Sequence, residues 1–339
     1  MTDPFTIAVV GAGAWGSALA HVCAQQRDGK GERVLLWGRD TELVAALNAR
    51  HENPAYLPGV PLSEAIEATD RLSDLAAARL CLLVVPAQAL RGVAEDLAQV
   101  LGSDVPVVLC AKGIEAESHK LMSEVAAEAL PGRPLAVLSG PTFAAEVARG
   151  LPTAVTLASE DRDLAARLVV TLGSRSFRPY LSDDPLGAEI AGAVKNVLAI
   201  ACGIVAGKDL GDNARAALIT RGLAEMSRLV LARGGKPETL MGLAGLGDLT
   251  LTCTATQSRN YSFGVALGRG DSVETACAAS RGVVEGRFSA AATLTLAESC
   301  KVEMPICAAV DAVVNAGADL DTTIAALLAR PFKAEGFSA

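Results

Sequence analysis

The chain has 339 residues, more than a single hydrophobic core usually supports, so two domains are expected. Hydrophobic residues make up 51% of it but aromatic residues only 4%, which favours closely packed helices over an aromatic-anchored β-sandwich. A net charge of -8 excludes broad, nonspecific binding to nucleic acid, because phosphate backbones are held by basic surfaces.

The cysteines and the N-terminus indicate the compartment. Eight cysteines are scattered without a C-x-x-C pair or a metal-ligand spacing, so we expect no metal site and a reducing environment. Residues Met1 to Thr6 lack the basic region and apolar core of a signal peptide, which predicts a cytoplasmic protein. The apolar stretch from Gly187 to Gly207 contains Glu189, Lys195 and Asn196, so we interpret it as a buried helix and predict no transmembrane segment.

In chain order, the first half alternates predicted strands with predicted helices. Apolar runs predict strands at Phe5–Val10, Arg33–Trp37, Leu80–Val85, Val105–Ala111, Leu135–Leu138, Thr153–Ala158 and Phe177–Tyr180. Helical periodicity is found at Ser17–Gln26, Leu43–Arg50 and Leu121–Leu130. This alternation predicts an α/β, doubly wound sheet over residues 1–185. From Leu186 the strand signal largely disappears, which predicts an all-helical domain over 186–330, with turns at 207–211, 234–235 and 242–247 and a loose tail at 331–339.

The glycine motif GAGAWG at 11–16 directly follows the first predicted strand and opens the first predicted helix. Gly11, Gly13 and Gly16 permit a tight turn, close backbone approach to a pyrophosphate, and tight packing of the helix on the strand. The N-terminus of that helix presents free N–H groups to phosphates. The context therefore favours a dinucleotide site over the alternative, a glycine-rich turn without a ligand.

The end of the second predicted strand indicates which dinucleotide is bound. Arg39 favours NADP, because an arginine at this position accommodates a ribose 2′-phosphate. The neighbouring Asp40 keeps NAD open, because an acid there bonds the ribose 2′-hydroxyl. The alternative for Arg39 is an ordinary solvated surface charge.

Lys195 is the single basic residue within the apolar stretch 187–207. Either its side chain reaches a helix edge and keeps its charge in water, or it is buried with a partner and has a catalytic role. Burial lowers the pKa of a lysine toward the range in which proton transfer is useful. Many hydroxy-acid dehydrogenases use a histidine for proton transfer, but the three histidines here, at positions 21, 51 and 119, all lie in the first half. If the chain is a dehydrogenase, Lys195 is therefore the leading candidate for proton transfer.

Other polar residues follow predicted strands or begin predicted helices. Lys112 ends the fourth strand, at the edge where open α/β sheets bind ligands, although a solvated lysine is the alternative. Asp248 is placed where it could cap a helix. Ser258 likewise could cap a helix that begins at Arg259, and such an N-terminus is also suited to a phosphate. Taken singly, the segments of Asp248 and Ser258 each favour capping.

Together these segments resemble the NAD(P)-dependent glycerol-3-phosphate dehydrogenases, particularly the bacterial type, from about Phe5 to about Arg330. The motifs that carry the resemblance are GAGAWG at 11–16, NPAYLPG at 53–59, AKGIE at 111–115, SGPTFAAEVARGLPTA at 139–154, GAVKN at 192–196, AALITRGLAEM at 216–226, GLAGLGDLTLTCT at 242–254, QSRN at 257–260 and VVEG at 283–286. They are long, ordered and spread over both predicted domains, which makes coincidence a poor explanation.

The resemblance implies an enzyme that prefers NADPH, can also use NADH, and interconverts dihydroxyacetone phosphate and sn-glycerol 3-phosphate for phospholipid synthesis. It implies a Rossmann domain, a helical domain and an active site between them. Beside the three glycines, the cofactor positions it implies are Ala14, Trp15, Arg39, Lys112, Ala144, Arg259, Val283 and Glu285. The substrate positions it implies are Lys112, Gly140, Thr142, Lys195, Asp248, Ser258, Arg259 and Asn260. The loop 206–211 departs from the family pattern in its Lys208–Asp209 pair, which leaves its conformation open. A homodimer is possible, but the sequence does not determine the oligomeric state.

The hypothesis for the mechanism makes Lys195 the catalytic acid and base. As an ammonium it would donate a proton to the C2 oxygen while hydride reaches C2, and as an amine it would accept the proton in the reverse direction. Lys112 would depress the pKa of Lys195 and stabilise oxyanion character at C2, and Asp248 would orient the lysine or a substrate hydroxyl. Arg259 and Asn260 would hold the phosphate.

Two other functions stay open from the sequence. A β-hydroxyacid or 6-phosphogluconate type dehydrogenase also combines a Rossmann domain, a helical domain and a lysine closely followed by an asparagine. A redox sensor that binds NADP without turnover is an alternative of a different class. The substrate assay separates all three.

Overall fold

The computed structural model describes residues 5–25, 33–280 and 282–331. The chain forms two compact units, and neither is continuous in sequence. The first, which we call the sheet unit, comprises Met1–Ala111, Met122–Leu138 and Thr142–Pro185. The second, the helical unit, comprises Lys112–Leu121, Ser139–Pro141 and Leu186–Ala339. The functional domain division at 185 and 186 stays a prediction, and the predictions for Met1–Pro4, Gln26 and the tail from 332 to 339 lie outside the described residues.

The described part of the sheet unit contains ten strands. They are β1 (Thr6–Val10), β2 (Arg33–Trp37), β3 (Glu52–Asn53), β4 (Leu57–Pro61), β5 (Ile66–Thr69), β6 (Ala78–Leu83), β7 (Val107–Leu109), β8 (Leu135–Ser139), β9 (Thr153–Ala158) and β10 (Phe177–Ser182). Eight of them form one sheet in the order β10-β9-β8-β7-β6-β1-β2-β5, and β3 pairs with β4 in a separate antiparallel pair. The pairs of the large sheet that have a described register are parallel. The segment β5-β2-β1-β6-β7-β8 has the strand order of a dinucleotide-binding fold, which confirms the predicted doubly wound sheet.

Six helices accompany these strands in the described part of the sheet unit. They are α1 (Ala14–Gln25), α2 (Thr41–Arg50), α3 (Leu90–Ala98), α4 (Met122–Ala129), α5 (Ala144–Ala148) and α6 (Arg162–Leu172). The central strands are continuous apolar runs; all of β1, TIAVV, is buried. Such runs are typical of parallel strands that are covered on both faces. The core of this unit therefore lies in the strands and the apolar sides of the helices.

The helical unit confirms the predicted all-helical second half. Its helices are α7 (Pro185–Gly207), α8 (Asp212–Ala232), α9 (Pro237–Leu240), α10 (Asp248–Thr254), α11 (Arg259–Gly268), α12 (Val273–Ala279), α13 (Glu285–Ser299), α14 (Pro305–Val314) and α15 (Leu320–Leu328). The long helix α7 is rich in alanine and glycine and is buried along most of its length. Its small side chains let other helices pack closely around it, so α7 forms the centre of this unit's core.

Several local predictions were wrong in detail. The third predicted strand begins two residues earlier, at Ala78, and the fourth is shortened to Val107–Leu109. The strands β3, β4 and β5 were not predicted, because β3 and β4 contain asparagine or proline, which are typical of turns, and β5 is short. The glycine-rich segment at 242–247 is not a simple turn, because Leu243–Gly247 forms a π-helical turn that leads into α10.

The helix α7 is also long and apolar enough to be considered a membrane span. Of the helices in the described residues, Pro185–Gly207 alone meets that criterion, and 83% of its apolar window is buried inside the protein. A helix that is covered by its own protein in this way has the pattern of a core helix, as the sequence predicts.

Candidate active site

The glycine turn after β1 is shaped by close backbone contacts within the sheet unit. Gly11 has a φ of +122°, and a Cβ there would lie 2.6 Å from the carbonyl oxygen of Val84. A Cβ on Gly16 would lie 1.7 Å from the carbonyl oxygen of Gly11. A Cβ on Gly13 would meet nothing within 4 Å. Gly11 and Gly16 are thus required by packing, whereas Gly13 leaves the side of the turn open, as close approach by a pyrophosphate requires.

Asn53 braces this turn and was not predicted as a site residue. Its buried side-chain amide donates to the carbonyl oxygen of Ala12 (2.9 Å) and to Oγ of Ser17 (2.8 Å). Its Oδ1 accepts from the backbone N–H of Tyr56. The only sequence signal for Asn53 is its place in the NPAYLPG motif. It ties the segment after α2 to the glycine turn.

Ala14 and Trp15 are the first two residues of α1, directly after the turn. The ring of Trp15 packs on that of Phe177, with a centroid distance of 6.5 Å. Within the described residues, the buried indole Nε1 of Trp15 has no hydrogen-bond partner. A buried N–H without a partner is costly, so a ligand acceptor at this position would be stabilising.

Arg39 and Asp40 follow β2 and have different roles. Both are exposed. Oδ1 of Asp40 accepts from the backbone N–H groups of Glu42 (3.0 Å) and Leu43 (3.1 Å), so Asp40 is the N-cap of α2. Arg39 does not serve as a cap and is the basic side chain at this strand end.

Lys195, Lys112 and Asp248 form a buried charge cluster in the helical unit. Nζ of Lys195 lies 2.7 Å from Oδ1 of Asp248, and Nζ of Lys112 lies 2.8 Å from Oδ2. Lys112 also donates to the carbonyl oxygen of Gly140 at 2.8 Å. Lys195 is 6% exposed, so the interpretation that its side chain reaches water was wrong. Asp248 does not cap α10, since it makes no cap hydrogen bond and instead lies between two ammonium groups.

The cluster changes the acidity of its members. Burial lowers the pKa of Lys195 to about 8, the charge of Asp248 opposes that shift, and the charge of Lys112 adds to it. Burial alone would raise the pKa of Asp248, but the two neighbouring ammonium groups hold it below its usual value. The result is a carboxylate that stays ionised beside a lysine that can exchange a proton near neutral pH.

Thr252 completes the surroundings of Lys195 and was missed by the sequence reasoning. Nζ of Lys195 donates to Oγ1 of Thr252 at 2.8 Å. Thr252 lies one helical turn after Asp248 on α10, and this spacing of four was the available signal. In the described part of the chain, Asp248 and Thr252 use two of the three ammonium hydrogens of Lys195. The third hydrogen can be donated to a substrate oxygen.

Two asparagines link the helices around this cluster. Nδ2 of Asn196, which was also not predicted as a site residue, donates to the carbonyl oxygen of Lys112 at 3.3 Å. Its Oδ1 accepts from Nδ2 of Asn260 at 2.9 Å. Oδ1 of Asn260 in turn accepts from the backbone N–H of Gly286 at 3.0 Å. Both asparagines are buried, so Lys112, α7, α11 and α13 are held in one hydrogen-bonded network.

Arg259 begins α11 directly after its N-cap. Oγ of Ser258 accepts from the backbone N–H of Tyr261 at 3.3 Å, which confirms the capping interpretation. A Cβ on Gly282, which has a φ of +122°, would lie 2.6 Å from Nη1 of Arg259. Glycine at 282 therefore provides space for the guanidinium beside the N-terminus of α11, an arrangement suited to an anion.

The remaining predicted positions have simple placements. Gly140 lies in the helical unit with a φ of +147°, and Thr142 and Ala144 lie in the sheet unit at the start of α5. Val283 is 39% exposed, and Glu285 is the first residue of α13. No group of histidine, cysteine and acidic residues suited to a metal ion is found among the residues described. The helical unit thus brings together Lys112, Gly140, Lys195 and Asp248, with Asn260 joined to them through Asn196.

The comparisons with known proteins agree over both units. Residues 6–165 match the family model of the NAD-dependent glycerol-3-phosphate dehydrogenase N-terminus, and residues 184–325 match that of its C-terminus. Glycerol-3-phosphate dehydrogenase [NAD(P)+] of Parvibaculum lavamentivorans is 56% identical over 97% of this chain and 98% of its own length. The enzyme of that name from Methylobacterium radiotolerans is 57% identical over 99% of both chains. The crystal structure of glycerol-3-phosphate dehydrogenase from Coxiella burnetii is 42% identical, with a TM-score of 0.91 over 96% of this chain and 99% of that one.

Proposed function

The chain belongs to the NAD-dependent glycerol-3-phosphate dehydrogenase family, and we propose that it reversibly reduces dihydroxyacetone phosphate to sn-glycerol 3-phosphate. The product supplies the backbone for phospholipid synthesis. The observation that carries the proposal is the buried Lys195, with a pKa of about 8 and a hydrogen available beyond those given to Asp248 and Thr252. A group of this kind suits proton transfer to a carbonyl oxygen.

The glycine turn of the sheet unit fits a dinucleotide. The open side at Gly13 lets a pyrophosphate approach the backbone, and the N-terminus of α1 directs N–H groups toward it. The indole N–H of Trp15, which has no protein acceptor in the described residues, is suited to donate to the same ligand. NAD(P)H supplies the hydride when it is bound. Ala144, Val283 and Glu285 are further proposed cofactor positions.

We propose a preference for NADPH over NADH. Asp40 uses its carboxylate to cap α2, which leaves Arg39 as the residue for the ribose. An arginine favours the 2′-phosphate. The exposed position of Arg39 fits this role.

Lys195 donates the proton in the direction of reduction. As an ammonium it protonates the C2 oxygen, and as an amine it accepts the hydroxyl proton in oxidation. Asp248 keeps Nζ of Lys195 in place at 2.7 Å and remains ionised throughout. The charge of Lys112 stabilises negative charge that develops on the C2 oxygen.

The N-terminus of α11 holds the substrate phosphate in this proposal. Arg259 contributes a guanidinium and Asn260 a side-chain amide, and Ser258 contributes the capped helix end. Gly140 and Thr142 are proposed as further substrate positions. Binding energy from the phosphate positions C2 for reaction, although the phosphate itself does not react.

The same proposal assigns a role to each part of the chain and includes the compartment and the oligomeric state of the enzyme. In this proposal residues 1–185 form the dinucleotide-binding domain and residues 186–330 the substrate-binding domain. None of the eight cysteines, all of which lie in the described residues, forms a disulfide bond, which supports a reducing, cytoplasmic compartment. The exposed Leu231 and Leu328 line one groove of the helical unit together with Leu210 and Ile324, and a contiguous apolar surface of this kind supports a homodimer.

The test is an absorbance assay at about 340 nm, where reduced nicotinamides absorb. NADPH and NADH are each mixed with dihydroxyacetone phosphate, and with a β-hydroxyacid or 6-phosphogluconate and the oxidised cofactor as the competing reactions. We expect turnover with dihydroxyacetone phosphate and a higher kcat/KM with NADPH. Turnover only with a carboxylate substrate, or cofactor binding without any turnover, would replace the proposal with one of the two alternatives.

A further inference from the structure

Helices α7 and α11 touch backbone to backbone through two glycines on each. A Cβ on Gly264 would lie 2.1 Å from the carbonyl oxygen of Ile200, and a Cβ on Gly268 would lie 2.5 Å from that of Ile204. In the opposite direction, a Cβ on Gly203 would lie 2.1 Å from the carbonyl oxygen of Tyr261. These distances are far below any real Cβ contact. Glycine spaced by four on both helices is what allows the two backbones to approach so closely.

Gly207 belongs to the same contact. A Cβ there would lie 2.3 Å from the carbonyl oxygen of Val265. Glycine inside a helix weakens it, because it adds backbone freedom to the unfolded chain. Four glycines at one helix crossing therefore lower the intrinsic helix stability of α7 and α11, but they permit the two backbones to approach closely.

The contact has a fixed register. A Cβ on Gly203 would lie 2.9 Å from Cα of Gly264, and a Cβ on Gly207 would lie 2.9 Å from Cα of Gly268, so the glycines that face each other are 61 positions apart in both pairs. The two helices therefore run parallel, and equivalent positions face each other. In this register Arg259, at the start of α11, is level with Leu198, which lies three residues after Lys195 on α7. The same crossing therefore sets how far the start of α11 lies from the turn of α7 that carries Lys195.

We propose that the glycine contact between α7 and α11 fixes the distance between Lys195 and the phosphate-binding residues Arg259 and Asn260. Gly203, Gly207, Gly264 and Gly268 are positioning residues in this inference, which rests on the proposed function. Gly264 lies five residues after Arg259, which is about 7.5 Å along a helix. A helix this short moves as a rigid rod, so a displacement at Gly264 reaches Arg259 and Asn260 almost unchanged.

The central experiment is Gly264→Ala. The added methyl group meets a backbone oxygen that cannot rotate away, so α11 must move outward from α7. We expect KM for dihydroxyacetone phosphate to rise about 10- to 100-fold, since an ångström of misplacement costs that much. The inhibition constant of inorganic phosphate should rise in parallel, because phosphate alone would use the same helix end.

Gly222→Ala is the matched control. It adds the same methyl group to α8, another helix that packs on α7, but there the three atoms nearest to the new Cβ all belong to the side chain of Leu198, at 2.6 to 3.2 Å. A side chain can move where a backbone oxygen cannot, so KM for dihydroxyacetone phosphate should stay close to wild type. An equal rise in the KM for dihydroxyacetone phosphate in both variants would overturn the inference, because the effect would then be general loss of packing.

A general structural role of the contact predicts a different pattern. Loss of folded enzyme would lower kcat for every substrate and leave each KM unchanged, and this result with Gly264→Ala would contradict a positioning role. If Gly264→Ala does not fold, Gly268→Ala takes its place, one helical turn farther from Arg259 and with a less severe clash. Its KM for dihydroxyacetone phosphate should rise about threefold to tenfold, and an unchanged KM would overturn the inference.

A binding measurement separates this inference from the proposed function. Inorganic phosphate should raise the Tm of the wild-type protein and raise that of Gly264→Ala much less. If wild type does not reduce dihydroxyacetone phosphate, the proposed function fails while the phosphate comparison still tests the contact. Equal Tm increases in wild type and Gly264→Ala would overturn the positioning role even in an active enzyme.

Discussion

The glycine turn of the sheet unit and the charge cluster of the helical unit are built in opposite ways. The turn is made from six consecutive residues and depends on backbone shape: a Cβ on Gly16 would lie 1.7 Å from the carbonyl oxygen of Gly11. The cluster depends on side chains that are distant in sequence, since 136 positions separate Lys112 from Asp248 and 53 separate Lys195 from it. A ligand site can be local and formed by the backbone, or it can be assembled entirely by tertiary packing.

The difference determines how each site should respond to mutation. In the cluster, Lys195 and Asp248 are buried, Lys112 is partly buried, and both lysines share Asp248, so loss of Asp248 leaves two charges without compensation. Near the turn, the proposed role of the exposed Arg39 is to add selectivity to a site that the backbone forms. Side-chain substitutions should therefore have large effects in the cluster and small effects near the turn.

Replacing Lys195 with methionine should have the largest effect. Lys195→Met keeps much of the volume but removes the proton donor, so kcat should fall about 10²- to 10⁴-fold. Stopped-flow and steady-state assays with dihydroxyacetone phosphate measure the loss, and a titration with NADPH provides the control, since cofactor binding should persist. Near-normal turnover would remove Lys195 from its role.

Asp248→Asn should come next. It leaves two ammonium groups near each other without their shared counter-charge, and the loss of one partner from a buried pair typically lowers the free energy of unfolding by about 3–5 kcal/mol. Denaturant unfolding with circular dichroism measures this change. Unfolding that matches wild type would show that the carboxylate does not stabilise the two lysines.

Arg39→Ala should have a smaller and more selective effect. The loss of one charged contact to a 2′-phosphate should lower kcat/KM with NADPH about tenfold, and kcat/KM with NADH should hardly change. The ratio of the two values is the informative quantity. A ratio equal to that of wild type would indicate that Arg39 is only a solvated surface charge.

The pH dependence of the reaction rates should be the smallest of these effects, and it reports most directly on the charge cluster. The pKa of Lys195 is lowered to about 8, so the ammonium form dominates below that pH and the amine above it. The rate of reduction should therefore fall as pH rises through about 8, and the rate of oxidation should rise over the same interval. Any residual activity of Asp248→Asn should show this transition at lower pH, because the charge of Asp248 raises the pKa of Lys195.

Much of the sheet unit could be predicted from sequence, because its signals are local. The buried strand TIAVV and the glycines at 11, 13 and 16 are contiguous, and both the fold and the turn followed from them. The short strands β3, β4 and β5 were missed, because their sequences carry turn residues or are too short for a period to appear. Pairing with neighbouring segments makes them strands, not local propensity.

The charge cluster could be predicted only in part. Lys195 was noticeable as a lone charge in an apolar helix, but nothing local distinguishes the two interpretations of Asp248 as a helix cap or a counter-charge. Thr252 and Asn196 carry even weaker signals, because threonine and asparagine are common and their partners lie far along the chain. Their roles depend on how α7, α10 and α11 pack, which no single segment specifies.

Because the two units exchange chain segments, the enzyme cannot be divided cleanly into two fragments at one position. Two short segments of the first half, Lys112–Leu121 and Ser139–Pro141, belong to the helical unit. A fragment cut at residue 186 would therefore carry Lys195 and Asp248 without Lys112 and without the Gly140 carbonyl to which Lys112 donates. Swapping whole halves between relatives would break the same cluster, so recombination and fragment design in this fold should treat these inserted segments as inseparable from the helices.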